Sequence, residues 1–127
     1  MMLDNSKFLA TVPVSNLEKA KEFYEGQLGL NRVAENPRGL TYQTGGGNLF
    51  IYESPATAGS SKASVATWEL ETIEGLVKEM KTKGITFLTY DIPGATWQDD
   101  IATMGDVQVA WFEDPDGNLY SVGTPQP

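Results

Sequence analysis

The chain contains no cysteine and no histidine. Without cysteine it has no thiol nucleophile, no disulfide framework and no zinc–cysteine cluster; without histidine it has no imidazole acid/base relay. Positive charge is also scarce. Arg32 and Arg38 are the two arginines, and the formal net charge is −8 with a pI near 4.4. Such a balance opposes phosphate backbones, so no nucleic-acid partner is expected, and the lysines at 78, 81 and 83 read as a solvated helix face. No stretch approaches the roughly 20 apolar residues of a membrane span. The first residues, MMLDNSKF, lack a basic region followed by a secretory apolar segment. The expectation is a cytoplasmic protein with no membrane partner.

What remains is a 127-residue chain of 13.8 kDa, the size of one domain, with an apolar content of 40% that suffices for a core. Carboxylates, hydroxyls, tyrosine, lysine and backbone groups are its chemical equipment. The most informative stretch is Val14 to Leu30. Asn16 is placed to cap a helix, Leu17, Ala20, Phe23 and Tyr24 recur at offsets of three and four, and Gly29 is the natural stop. Phe8 to Val14 reads as the preceding strand, with Pro13 near its end.

The same plan returns later. Val65 to Leu70 is strand-like, Ile73, Leu76, Val77 and Met80 mark a helix, Gly84 stops it, and Ile85 to Leu88 resumes extended structure. Aligning Leu28-Gly29-Leu30 with Lys83-Gly84-Ile85 suggests two similar halves, alike in architecture more than in identity. Between them, Asn31–Glu35 reads as a strand and Asn36–Gly39 as a turn. Segments 40–43 and 48–53 form a hairpin around Gly45-Gly46-Gly47, which lacks the lysine and hydroxyl of a P-loop. Residues 1–7 read as a polar lead-in and 55–62 as the joint. Asp91 to Asp100 is expected to be irregular, covering a site or closing the core through Trp97. Val107–Phe112 and Leu119–Val122 are the last strands, separated by an Asp114–Asn118 turn whose spacing is wrong for calcium.

Taken together, Val14-Ser15-Asn16-Leu17-Glu18-Lys19-Ala20, Phe23-Tyr24, Leu28-Gly29-Leu30 and Glu113-Asp114-Pro115-Asp116-Gly117-Asn118 resemble the glyoxalase, bleomycin-resistance and extradiol-dioxygenase superfamily, the vicinal oxygen chelate fold. The resemblance covers Phe8 to Val122. It implies an α+β fold of two paired βαβββ modules whose curved mixed sheets enclose a cavity. Residues 1–127 then form a single glyoxalase-like domain, with modules 8–54 and 63–122, and self-association as a homodimer is implied. Many relatives chelate substrate oxygens with a divalent metal. Here the metal-ligand positions that the resemblance implies fall near Leu9, near Val65, at Ser121 where glutamate is typical, and near Ile51 or, two residues on, Glu53. At most one strong ligand survives, so no metal residues are assigned and no cofactor is expected, a divalent ion being the alternative.

The leading expectation is metal-independent binding of a small organic molecule, with the family suggesting sequestration or resistance. Tyr42, Tyr52, Trp68, Trp97 and Trp111 offer broad ring faces, and Glu53, Gln98 and Ser121 offer polar selection. Aromatics in such strands also serve the core. The competing reading is a lyase, isomerase or dioxygenase of the same superfamily with an altered site, in which Glu53 is the candidate catalytic base. Glu69 has the parity of Val65 and Thr67, which can direct it inward. A third reading is an interaction module whose cavity is filled by side chains.

Overall fold

Along β1 (Leu9–Val14) exposure alternates: Leu9 and Thr11 face solvent while Val12 and Val14 are buried, the mark of a strand covered on one face. The computed structural model describes residues 3–6 and 8–125, so the expected lead-in over 1–7 lies partly outside the described residues. The chain divides into two units, Met1–Ala58 and Gly59–Pro127.

In the first unit Asn16 caps α1 (Leu17–Lys21), its Oδ1 accepting from the Lys19 amide at 2.9 Å. The helix then loosens into a π-helical stretch, Glu22–Gln27, where Leu28 N donates to Phe23 O at 2.9 Å, five residues back. Single-turn π segments of this kind are uncommon. The apolar spacing had suggested one uniform helix, but periodicity does not separate 3.6 residues per turn from a wider turn. Phe23 and Tyr24 are both buried and pack edge to face at 5.1 Å. Gly29 ends the helix at φ 71°, and Gly84 ends the helix of the second unit at φ 87°, conformations that cost a side chain but not glycine.

Strands β2 (Asn31–Asn36), β3 (Gly39–Gln43) and β4 (Asn48–Glu53) complete a sheet of order β1-β4-β3-β2, in which β1 runs parallel to β4. A parallel neighbour requires a crossover, and the helix supplies part of it. Val12, Val14, Leu40, Tyr42, Leu49 and Ile51 form the core, with Tyr24 of the helix stacked on Tyr42 at 5.9 Å. The turn at 36–39 is held by Asn36 Oδ1, which accepts from the amides of Arg38 and Gly39 at 2.8 and 3.2 Å.

The second unit repeats the plan. Its elements are β5 (Ala66–Glu69), α2 (Glu74–Thr82), β6 (Phe87–Leu88), β7 (Thr96–Gln98), β8 (Ile101–Met104), β9 (Val107–Glu113) and β10 (Leu119–Gly123). The sheet order is β5-β10-β9-β8-β7, β5 is parallel to β10, and β6 pairs with β9. Ile73, Val77 and Met80 are buried on the helix side, as are Phe87, Phe112 and Tyr120 of the core. The fold is therefore α+β, with two mixed sheets and the doubled βαβββ connectivity.

Two expectations are corrected here. The strand resuming after α2 is confined to Phe87–Leu88, because Ile85 is taken by the helix end, its amide bonded to Met80 O at 3.1 Å. Asp91–Asp100 is not irregular throughout: Thr96–Gln98 pairs antiparallel with β8, the hairpin turning on Asp99 and Asp100 at φ 53° and 69°. Two left-handed residues in succession are what a type I′ hairpin requires, and aspartate tolerates them when Asn-Gly is not present. The Asp114–Asn118 turn is a turn, as expected. Asp114 Oδ1 accepts from the amides of Asp116 and Asn118 at 3.0 and 2.8 Å, and Asn118 Nδ2 donates to Asp114 Oδ2 at 2.7 Å.

Candidate functional site

Because side chains alternate along a strand, strand register fixes which residues of each unit lie on the side away from its helix. In the second unit these include Thr67, Ser121, Trp111, Val109, Ala102 and Trp97. The ring of Trp97 lies 6.0 Å from that of Trp111 at 44°, and Tyr90 meets Trp111 edge to face at 5.5 Å and 87°. Tyr90 is 41% exposed. Its hydroxyl titrates above the ordinary tyrosine range because burial disfavours the phenolate and Glu113 adds negative charge. Ser121 is buried, its hydroxyl 2.6 Å from that of Thr67. Glu69 shares the parity of Thr67 and is exposed.

In the first unit the corresponding face carries Leu9, Thr11, Thr41, Phe50 and Tyr52. Phe50 and Tyr52, two residues apart on β4, stack at 6.2 Å and 11°. Both half-buried rings present flat apolar surface, and Tyr52 adds a phenol at one end.

Of the residues singled out in the sequence, Tyr52, Trp97, Trp111 and Ser121 lie on these helix-free faces. The other four lie on the helix side. Tyr42 is fully buried, and its hydroxyl donates to Glu25 Oε2 at 2.7 Å. Burial first, and then that carboxylate, hold its phenol well above the usual tyrosine range. Trp68 packs on Tyr120 at 5.2 Å and Phe112 at 6.2 Å. Glu53 accepts a hydrogen bond from the Leu17 amide at 3.2 Å. Gln98 lines a cavity beside α2. Tyr90 and Phe50 were not singled out, although the alternation Leu88, Tyr90 and the pair Phe50, Tyr52 were signals for both.

The donor set for a metal fails on chemistry. The ligand positions that the family resemblance implies fall near Leu9 and Val65 and at Ser121. The fourth needs correcting: Ile51 and Glu53 point to the helix side, and the β4 residues that share Leu9's face are Phe50 and Tyr52. One serine hydroxyl and one phenol among apolar side chains do not fit a divalent ion that takes imidazole and carboxylate. Among the described residues no group of three or more His, Cys, Asp or Glu side chains is placed to hold a metal. Also among the described residues, no helix is long and apolar enough to cross a membrane.

The chain belongs to the Glyoxalase/Bleomycin resistance protein/Dioxygenase superfamily, whose family model matches residues 8–122. Among solved structures it is similar to TnmS3, an antibiotic binding protein from Streptomyces sp. CB03234, with a TM-score of 0.72 and 24% identity over 99% of this chain and 100% of that one. A glyoxalase/bleomycin resistance protein from the same Streptomyces strain gives a TM-score of 0.66 and 25% identity over 92% and 98% of the two chains. A bleomycin-binding protein complexed with bleomycin gives 0.72 and 18% over 96% and 100%. No curated protein matches the chain.

Proposed function

We propose that the protein binds a small organic molecule without a metal, in the manner of the sequestering members of its superfamily. The observation that carries this reading is the cluster of Trp97, Trp111 and Tyr90 on the helix-free face of the second unit. Three rings meeting at different angles leave flat and edge surfaces for an amphipathic or aromatic guest, and such residues dominate small-ligand contact energy. Tyr52 and Phe50 offer a second aromatic surface, and Ser121 with Thr67 supplies a polar pair. Glu69 and Glu113 stand on the same face as Trp111, so anionic guests are disfavoured.

The similar chains described as an antibiotic binding protein and as a bleomycin-binding protein support this class of ligand. Sequestration by a cytoplasmic homodimer belongs to the same reading, supported by an edge strand, β2, all of whose residues are exposed and available for a partner. Tryptophan fluorescence titration with bleomycin and a panel of aromatic antibiotics tests it. Saturable quenching whose midpoint moves to roughly 30-fold higher ligand concentration in Trp111→Ala is expected; no saturable binder among the panel would defeat it.

A further inference from the structure

A cavity of about 500 Å³ lies on the opposite side of β8 and β9 from Trp97 and Trp111, between that part of the sheet and α2. Its floor is apolar, made by Val77 of the helix and Ile101 of β8, both buried. The sheet wall is polar. Thr103 pairs with Gln108 across β8 and β9, Gln98 pairs with Ile101 across β7 and β8, and by alternation all face α2. A sheet face beneath a helix is ordinarily filled with apolar side chains, as Ala110, Phe112 and Val122 do further along this one.

The polar groups here are unspent. The side chains of Gln98, Thr103 and Gln108 make no hydrogen bond among the described residues, and none of their atoms is both sealed from solvent and unpaired. Across the cavity Glu74 and Lys78 stand one helical turn apart without pairing with each other. Lys81, by contrast, is committed: it reaches Asp99 O at 3.2 Å and pairs with Asp100 Oδ2 at 2.9 Å, fixing the β7–β8 turn as one wall.

We propose that this cavity is a second binding site, for a polyhydroxylated, uncharged molecule of mono- to disaccharide size. Two primary amides and a hydroxyl each donate and accept, which matches a ligand whose hydroxyls do the same. Two carboxylates, Glu74 and Asp99, and two ammoniums, Lys78 and Lys81, balance in charge around the lining, which therefore favours neither an anion nor a cation. No lining residue is aromatic, which argues against a planar ring as occupant. The volume lies within the range of small-molecule sites, roughly 300–1,000 Å³.

The test is amide NMR of the full chain titrated separately with glucose, maltose, myo-inositol, glycine, glutamate and inorganic phosphate. Saturable shifts centred on Thr103 and Gln108 with the sugars or inositol, absent with the charged probes, are expected. They weaken roughly tenfold in Gln108→Ala and persist in Trp111→Ala, since each lost hydrogen bond to a neutral ligand costs about that factor. Thr103→Val, which removes only the hydroxyl, serves if the amide variant does not fold. Binding of glycine, glutamate or phosphate there in place of sugar overturns the proposal. So does the absence of any saturable shift, or sugar binding unaffected by Gln108→Ala and Thr103→Val.

Discussion

The Glu53 carboxylate, at the end of β4, accepts a hydrogen bond from the Leu17 amide at the first turn of α1, 3.2 Å away. A residue whose place in the sequence invited a catalytic role thus holds a helix N-terminus, where a negative charge complements the exposed amides. Glu53→Gln is expected to cost roughly 0.3–1 kcal/mol in urea denaturation and to leave ligand affinity unchanged. A metal-free isomerase that used Glu53 as its base would instead lose turnover in this variant.

Trp111 and Trp68 sit on opposite faces of the same sheet, and their alanine variants separate binding from folding. Trp111→Ala is expected to weaken ligand binding by about 2 kcal/mol, a factor of roughly 30, as for a central aromatic anchor. Trp68→Ala removes a ring packed on Phe112 and Tyr120 and costs about 3–5 kcal/mol of stability. Fluorescence titration and chemical denaturation of both proteins measure the contrast.

Asn118 is 2% exposed and joins three parts of the second unit: it donates to Asp114 Oδ2, and its Oδ1 accepts from the Gly59 amide at 3.1 Å. Asn118→Ala removes a hydrogen bond from both partners, with an expected loss of about 1–3 kcal/mol in all. Asp114→Asn, which keeps an acceptor for the turn amides, is expected to lose less. Thermal melts of the two variants rank them.

Alkaline pH should loosen the first unit through Tyr42. Its phenol is raised from the ordinary 10.0, chiefly by burial and then by the bond to Glu25, with Arg32 acting in the opposite sense. The folded state holds the proton more tightly than the unfolded chain, so this contribution is intact below pH 10 and declines above it. Tyr42→Phe is expected to flatten the stability profile on the alkaline side while lowering stability at neutral pH. Denaturation midpoints measured across that range supply the comparison.

Chelation is expected to change nothing. With no group of three or more His, Cys, Asp or Glu side chains placed to hold a metal among the described residues, exhaustive treatment with EDTA is expected to leave ligand affinity at its untreated value, measured in the same fluorescence titration.

The architecture was readable because its punctuation is strong. The Asn16 cap, the stops at Gly29 and Gly84 and the Asp114–Asn118 turn are local chemistry, and each does in the structure what its residue type favours. The site was less readable because it turns on parity across strands. Tyr42 and Tyr52 are equally aromatic and equally strand-borne, yet one is sealed beneath the helix and the other is not. Parity within β4 was evident, but which parity faces the helix depends on pairing with β1, a non-local fact. For the same reason Glu53 was grouped with the metal positions. Strand β7 was missed because Asp99-Asp100 is an unusual pair for a tight hairpin.

The most C-terminal strand among the described residues is an interior one. β10 lies between β5 and β9, all five of its residues are buried, and among the described residues β5 has no other strand neighbour. Synthesis therefore leaves β5 and the apolar side of α2 without their sheet until Gly123 is in place, whereas the first unit has its full set of strands once Glu53 has been added. The strands of the two halves are therefore completed in sequence, and a chain truncated before residue 119 is expected to leave the second half without its central strand.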